Sequence, residues 1–143
     1  MTIRKNSILL AWESYKDQTF TPSIYVGDYC SIGTYANISC INKIVLGKYV
    51  LIGRWVTIID HAHGAFNQEQ IDIPPEERHL ISKGSIIIDD FVWIGDKVTI
   101  CSNVHIHKCA VVGANSVVTK DVPEYTMVVG CPAKVVKRID CSI

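Results

Sequence analysis

The chain has 143 residues, enough for one domain with a buried core and too few for two. Its 14 Lys and Arg balance 14 Asp and Glu, so no net field recruits nucleic acid or an anionic membrane. No apolar run reaches the roughly 20 residues that span a bilayer. The opening MTIRKNSILLAWESYKDQ lacks the apolar core and cleavage site of a secretory signal, so a cytoplasmic protein is expected.

Residues 1–22 carry no evident repeat, and Ser7 to Glu13 reads either as a short helix or as an extended lead-in that caps the next part of the chain. From there an aliphatic residue recurs every six positions: Val26, Ile32 and Ile38, then Leu46, Ile52 and Ile58, with two extra residues between the two sets. After a break the period resumes at Ile88, Ile94, Ile100, Ile106, Val112 and Val118. Four positions after each aliphatic comes a small or β-branched residue (Cys30, Ala36, Val50, Val56, Ala62, Val92, Val98, Val104, Ala110, Ser116, Val122), with Asn42 as the exception. Gly follows the aliphatic at 27, 33, 47, 53, 95 and 113, where a corner with positive φ is expected. A period of six is neither the 3.6 of a helix nor the 2 of a hairpin strand. It predicts short strands stacked as a solenoid, since one hexad cannot bury its aliphatic alone but stacked neighbours can. A β-sandwich would need turn clusters every 8 to 12 residues, which are absent. Cys30, Cys40, Cys101, Cys109, Cys131 and Cys141 show no CxxC pairing and read as reduced thiols.

The strings VGDYCS, IGTYAN, LGKYVL, IGRWVT, IGDKVT and VGANSV resemble the hexapeptide repeats of the galactoside, maltose and polysaccharide O-acetyltransferases. The resemblance covers about Ile24 to Ile139. It implies an all-β, left-handed parallel β-helix, and the hand comes from the resemblance alone, because parallel crossovers generally favour the right hand. The expected division is one domain, 1–143: a cap at 1–22, coils at 24–63 and 86–122, an acceptor loop at 64–85 and a C-terminal segment at 123–143 flanking a CoA groove. Family resemblance further implies acetyl-CoA as donor, a carbohydrate-like acceptor and a homotrimer with the CoA groove between subunits; no metal, nucleic acid or membrane insertion is expected.

In IIDHAHG the frame of Ile58 puts Ala62 inside and both His61 and His63 outside, at the root of a long loop of the kind that forms binding walls. Acyl transfer to a hydroxyl needs a base near neutral pKa, which imidazole supplies. Ungapped alignment of LGKYVLIGRWVTIIDHAHG to the family places the catalytic histidine at His63, and a shift of two selects His61; with His63 as base, His61 or Asp60 would orient it or contact the acceptor. Asn37 in YANIS resembles an acceptor-binding asparagine, and reads equally well as a corner residue. FVWIG resembles the family's VWIG, which sets Trp93 beside acceptor and pantetheine, with Asp96 at the next corner. Trp55, at the fourth hexad position, suits a subunit interface. The tail VVGANSVVTKDVPEYTMVVGCPAKVVKR resembles the family ending. By that likeness Ala114, Thr119 and Lys120 line the CoA groove, Gly130, Pro132 and Ala133 guide the last strand across it, and Lys120, Lys134, Lys137 and Arg138 form a basic cluster for CoA phosphates.

Rival readings are weaker. A γ-carbonic-anhydrase-like metal enzyme would use the HxH pairs, but His105 and His107 do not match that family's spacing, and it leaves Trp93 and the GCPAK tail without a role. A structural or ice-binding solenoid would have uniform, Thr-rich repeats. Within the acyltransferases, N-acetylation of an amino sugar and a virginiamycin-type antibiotic acetyltransferase remain open alternatives to O-acetylation.

Overall fold

A computed structural model describes residues 1–141. The chain is an all-β parallel solenoid of short strands, and its one helical turn among the described residues is Pro75–Glu77. No described helix is long and apolar enough to cross a membrane. Three strand stacks form the faces of a prism. The first face runs Thr2–Ile3, Ser31–Ile32, Leu51–Ile52, Trp93–Ile94, Val111–Val112 and Thr126–Gly130, with Ala133–Arg138 added antiparallel at its edge. The second contains Ile8–Ala11, Asn37–Cys40, Thr57–Ile59, Thr99–Ile100 and Val117–Val118. Ser23–Val26, Lys43–Leu46, Ile86–Ile88 and Val104–Ile106 make the third.

The hexad aliphatics stack in columns along the axis. On the first face Ile32 lies over Ile52, Ile52 over Ile94 and Ile94 over Val112; on the second, Ile38, Ile58, Ile100 and Val118 do the same. Nearly all are fully buried, each worth about 1.5–3 kcal/mol relative to exposure. The two-residue insertion and the long loop are both absorbed at the corner between the second and third faces. The register of every face therefore survives them.

The repeat extends further than its sequence signal. Residues 1–22 begin with a coil of their own: Ile3 pairs beside Ile32 and Leu9 beside Ile38, both parallel. Ile8–Ala11 is a strand, so the extended alternative holds and the helical one does not. At the other end Val122 bridges Ile106 and Val128 pairs with Val112, one partial coil beyond the expected limit. All six cysteines are unpaired thiols, two of them, Cys30 and Cys40, in the core.

The glycine expectation is corrected. None of the hexad glycines has positive φ; that conformation falls two residues later, at Asn6, Tyr29, Tyr35, Tyr49, Trp55, Phe91, Lys97, Asn103, Cys109, Asn115 and Tyr125. Glycine is required instead by coil-on-coil contact. A Cβ on Gly33 would meet the Gly53 carbonyl and lie 2.8 Å from the Arg54 nitrogen, and one on Gly27 would meet the Gly47 carbonyl. A non-glycine residue in the left-handed region costs about 1–2 kcal/mol, and stacking offsets it at two corners. Tyr29, Tyr49 and Phe91 form one ladder, with centroids 4.7 and 5.2 Å apart, and Tyr35 stacks on Trp55 at 4.2 Å.

Two substitutions separate these roles. Gly33→Ala should destabilise the fold by about 1–3 kcal/mol through overpacking. Lys97→Gly, at positive φ, should change stability by less than about 1 kcal/mol, because relief of backbone strain and loss of unfolded-state order oppose each other. Urea unfolding followed by circular dichroism reads both; equal effects would refute the assignment of the two positions.

Candidate active site

The coil leaves the prism after Thr57–Ile59, and the residue that ends it is an aspartate. Asp60 is completely buried, whereas Ala62, expected inside, is exposed. The reason is a demand for acceptors at the corner of the preceding coil. Asp60 Oδ1 accepts the Ile41 N–H at 2.9 Å, and Oδ2 accepts those of Asn42 and Lys43 at 2.9 and 3.0 Å. The Cys40 thiol donates to Oδ2 at 3.3 Å and the His61 Nδ1–H to Oδ1 at 3.0 Å. Burial alone would raise the Asp60 pKa, but the bonds from His61, Ile41, Asn42 and Cys40 outweigh it and hold the carboxyl below its ordinary 3.8. Desolvation, with Asp60 alongside, pushes the Cys40 thiol up to about 11, so it stays a protonated donor. The Asp60 oxygens are thus engaged by backbone N–H groups, the Cys40 thiol and His61.

With Nδ1–H committed to an ionised carboxylate, neutral His61 carries its lone pair on Nε2. Its side chain is only 8% exposed. His63 is exposed and sits in the strand Ala62–His63, which pairs antiparallel with Leu80–Ile81 so that both ends of the loop are clamped together. The ring of Tyr15 meets His63 edge-on at 5.5 Å. Tyr15 belongs to a hairpin, Ser14–Tyr15 against Gln18–Thr19, that latches the far side of the loop. The Tyr15 hydroxyl donates to the Glu76 carbonyl at 2.7 Å, and Lys16 pairs with Glu77 at 2.9 Å. Asp17 meets His79 at 2.8 Å, and Gln18 bonds both the N–H and the carbonyl of Leu80. Sequence reading missed this latch because its partners are about sixty residues apart and neither strand of the hairpin exceeds two residues.

The second cluster lies on the first face. Trp93, 51% exposed, projects between Leu51 and Val111 of the neighbouring coils. It is shared by two adjoining concavities of about 410 and 400 Å³, one lined by Gly95, Asp96, Gly113, Ala114 and Met127, the other by Arg4, Ser31, Thr34 and Arg54. Three expected CoA contacts, Trp93, Asp96 and Ala114, thus share one groove. Asp96 Oδ1 also accepts the Arg54 N–H at 2.8 Å while Oδ2 takes the Arg54 guanidinium at 2.7 and 3.0 Å, which keeps the carboxyl below its ordinary range.

The other candidates are dispersed. Thr119 and Lys120 follow Val117–Val118 off the second face, and Lys134, Lys137 and Arg138 lie on the outermost strand of the first. Arg138 borders a concavity with Glu124 and Tyr125. Asn37 is exposed on the second face, paired in register with Thr57. His63 follows Thr57–Ile59 off the end of the second face, Asp96 and Ala114 stand at the corner that begins it, and His63 is not among the residues lining the groove.

No family model matches the chain. It is 37% identical over 119 residues to WbbJ of Escherichia coli (strain K12), named for O-acetyl transfer in lipopolysaccharide biosynthesis, covering 80% of this chain and 60% of that protein. A hexapeptide-repeat acetyltransferase of Vibrio cholerae, solved with acetyl-CoA, superposes with a TM-score of 0.72 at 32% identity, covering 82% of this chain and 61% of that one. The maltose O-acetyltransferase of Clostridium difficile 630 gives 0.60 at 31% identity, covering 82% and 67%. The chain spans between 39% and 60% of the length of the curated relatives it matches over most of its own length.

The Asp60 geometry sets a testable expectation. A carboxyl whose folded pKa is depressed contributes stability that is full above its unfolded pKa and lost as the pH falls through the folded one. Asp60→Asn, which has one acceptor oxygen in place of two, should cost about 1.5–3 kcal/mol at pH 7. It should also flatten the loss of stability below pH 4, as read by urea unfolding at a series of pH values; an unchanged acid profile would remove Asp60 from its corner-capping role.

Proposed function

Because the chain belongs to the hexapeptide-repeat acetyltransferases, we propose that it transfers the acetyl group of acetyl-CoA to a hydroxyl of a sugar or saccharide, with His63 as general base. The observation that carries this reading is the pairing of an exposed histidine on a clamped loop root with an aromatic-walled groove on the adjoining face. His63 takes the proton of the acceptor hydroxyl as its oxygen attacks the thioester carbonyl; the tetrahedral intermediate expels CoA thiolate, and His63 returns the proton to sulfur. The acceptor is the nucleophile, so no acyl-enzyme forms. Oxyanion stabilisation is assigned to a backbone N–H at the corner after Trp93–Ile94; the Gly95 N–H is taken by the Val112 carbonyl at 2.8 Å, which leaves that of Asp96 as the candidate.

Of the two histidines, exposure favours His63. His61, tied to Asp60 and mostly buried, is a positioning residue for the loop root. The separation of His63 from Trp93 and Ala114 supports a homotrimer in which the loop of one chain reaches the groove of the next. Phe66, 94% exposed on that loop, and Ile71 beside it are apolar surface suited to a neighbouring subunit or an acceptor. Lys120, Lys134 and Lys137 would then meet CoA phosphates from two chains.

The test is CoA release from acetyl-CoA with a panel of sugars, nucleotide sugars and amino sugars, the last separating O- from N-acetylation. His63→Ala should lower kcat by about 10²- to 10⁴-fold with CoA binding intact, and Trp93→Ala should raise KM for acetyl-CoA. Loss confined to His61→Ala would move the base to that residue. Mixing His63→Ala and Trp93→Ala chains should restore part of the activity if the site spans two subunits; failure to complement, with both variants trimeric, would place the whole site in one chain.

A further inference from the structure

The third face carries a side-chain cluster that acyl transfer does not use. His105, in the strand Val104–Ile106, and His107, just after it, flank the inward Ile106, so their rings project from the same side of the chain. The rings stack with centroids 3.8 Å apart. Asp89, which follows Ile86–Ile88 in the preceding coil, reaches across to both. Its Oδ1 lies 2.8 Å from His105 Nε2 and its Oδ2 lies 3.7 Å from His107 Nδ1. One ligand atom from each of the three residues falls within 4.8 Å of the others. All three side chains are about one-third to two-fifths exposed, so the group opens to solvent. It stands at the far end of the third face from the corner that bears the His63 loop.

We infer that Asp89, His105 and His107 form a binding site for one divalent transition-metal ion, with zinc the best match to the donor set. Two imidazoles and a carboxylate grouped on one side leave further positions for water, a donor set suited to zinc, iron(II) or cobalt(II). With metal–ligand bonds near 2.0–2.1 Å, tetrahedral ligand atoms sit about 3.3 Å apart. The two contacts use different Asp89 oxygens, and one ligand atom from each residue lies within 4.8 Å of the others, so side-chain rotation that draws them to that spacing admits an ion. Strand register supplies the preorganisation: Ile87 pairs with His105 and Ile88 with Ile106, which sets Asp89 opposite the histidine pair before any ion arrives. Lys108, which lines a concavity with Asp89, has its ammonium 3.9 Å from Glu124 and over the Tyr125 ring. Because the ligands come from successive coils, a bound ion cross-links them and stabilises the folded chain in proportion to its occupancy.

The experiment uses the untagged full chain, freed of metal by chelator and titrated with Zn²⁺ and, separately, Co²⁺. Calorimetry and equilibrium dialysis should give one tight ion per chain, with a rise in Tm on adding Zn²⁺. His105→Asn/His107→Asn should abolish both the tight site and the Tm rise, while melting like wild type in chelator. His107→Gln, which leaves the Asp89–His105 bond in place, should weaken binding without unfolding. The Co²⁺ spectrum should lack the near-ultraviolet thiolate charge-transfer band that binding by Cys131 or Cys141 would produce. Equal stoichiometry and affinity in wild type and the double variant, or a thiolate band that accounts for all bound Co²⁺, would overturn the assignment. Loss of ion binding would leave the acyl-transfer reading intact, since that chemistry rests on His63.

Discussion

The architecture depends on one contact, the approach of each coil's corner to the backbone of the next. Successive coils hydrogen-bond strand to strand: the Gly33 N–H donates to the Ile52 carbonyl at 2.8 Å, Gly53 to Ile94 at 2.9 Å and Gly95 to Val112 at 2.8 Å. At that spacing Gly27, Gly33 and Gly53 have no room for a Cβ beside the backbone of the next coil, and the chain turns two residues later through the left-handed region. The inward aliphatic columns make the stacking favourable, and the corners decide whether it is sterically possible. The aromatic ladders at Tyr29–Tyr49–Phe91 and Tyr35–Trp55 arise from the same geometry. Residues at one position of successive coils sit directly above one another, close to the distance at which rings stack.

Corners also leave backbone N–H groups that no strand satisfies, and the chain answers with carboxylates from the following coil. Asp90 accepts from Lys48 and Asp96 from Arg54, and Asp121 does the same for His105 within the strand Val104–Ile106. Asp60 takes three N–H groups at the one corner widened by the two-residue insertion. An acceptor that must be buried and ionised is costly unless fully bonded, and full bonding is what lowers its pKa. The site inherits this arrangement. The aspartate that closes the widened corner is followed at once by His61, His63 and the loop, so the irregularity of the repeat and the candidate chemistry occupy the same corner.

The loop is long for a compact fold, yet the exit and return strands pair through Ala62–His63 and Leu80–Ile81, and the N-terminal hairpin grips it from outside. These contacts restrain the His63 backbone without enclosing its ring. The groove at Trp93 is built differently, from the regular part of the prism, where an outward aromatic stands on a face whose backbone is held by both neighbouring coils.

The six-residue period alone determined the solenoid, the inward residues from Val26 to Val118 and the place where the chain leaves it, because burial of a column of aliphatics writes a strict spacing into the sequence. FVWIG and the tail likewise marked Trp93, Asp96 and Ala114, which do share a groove. The first coil at Ile3 and Leu9 was not legible, since two hexad positions separated from the rest by a hairpin carry too little periodicity to register. Nor was the burial of Asp60 in place of Ala62, because the unpaired N–H groups it satisfies belong to residues about twenty positions earlier, a debt visible only when two coils are stacked. The reversal of the glycine assignment has the same cause. Spacing along one chain shows that a small residue is needed, while the contact that needs it lies across the stack, where only the tertiary structure brings the two backbones together.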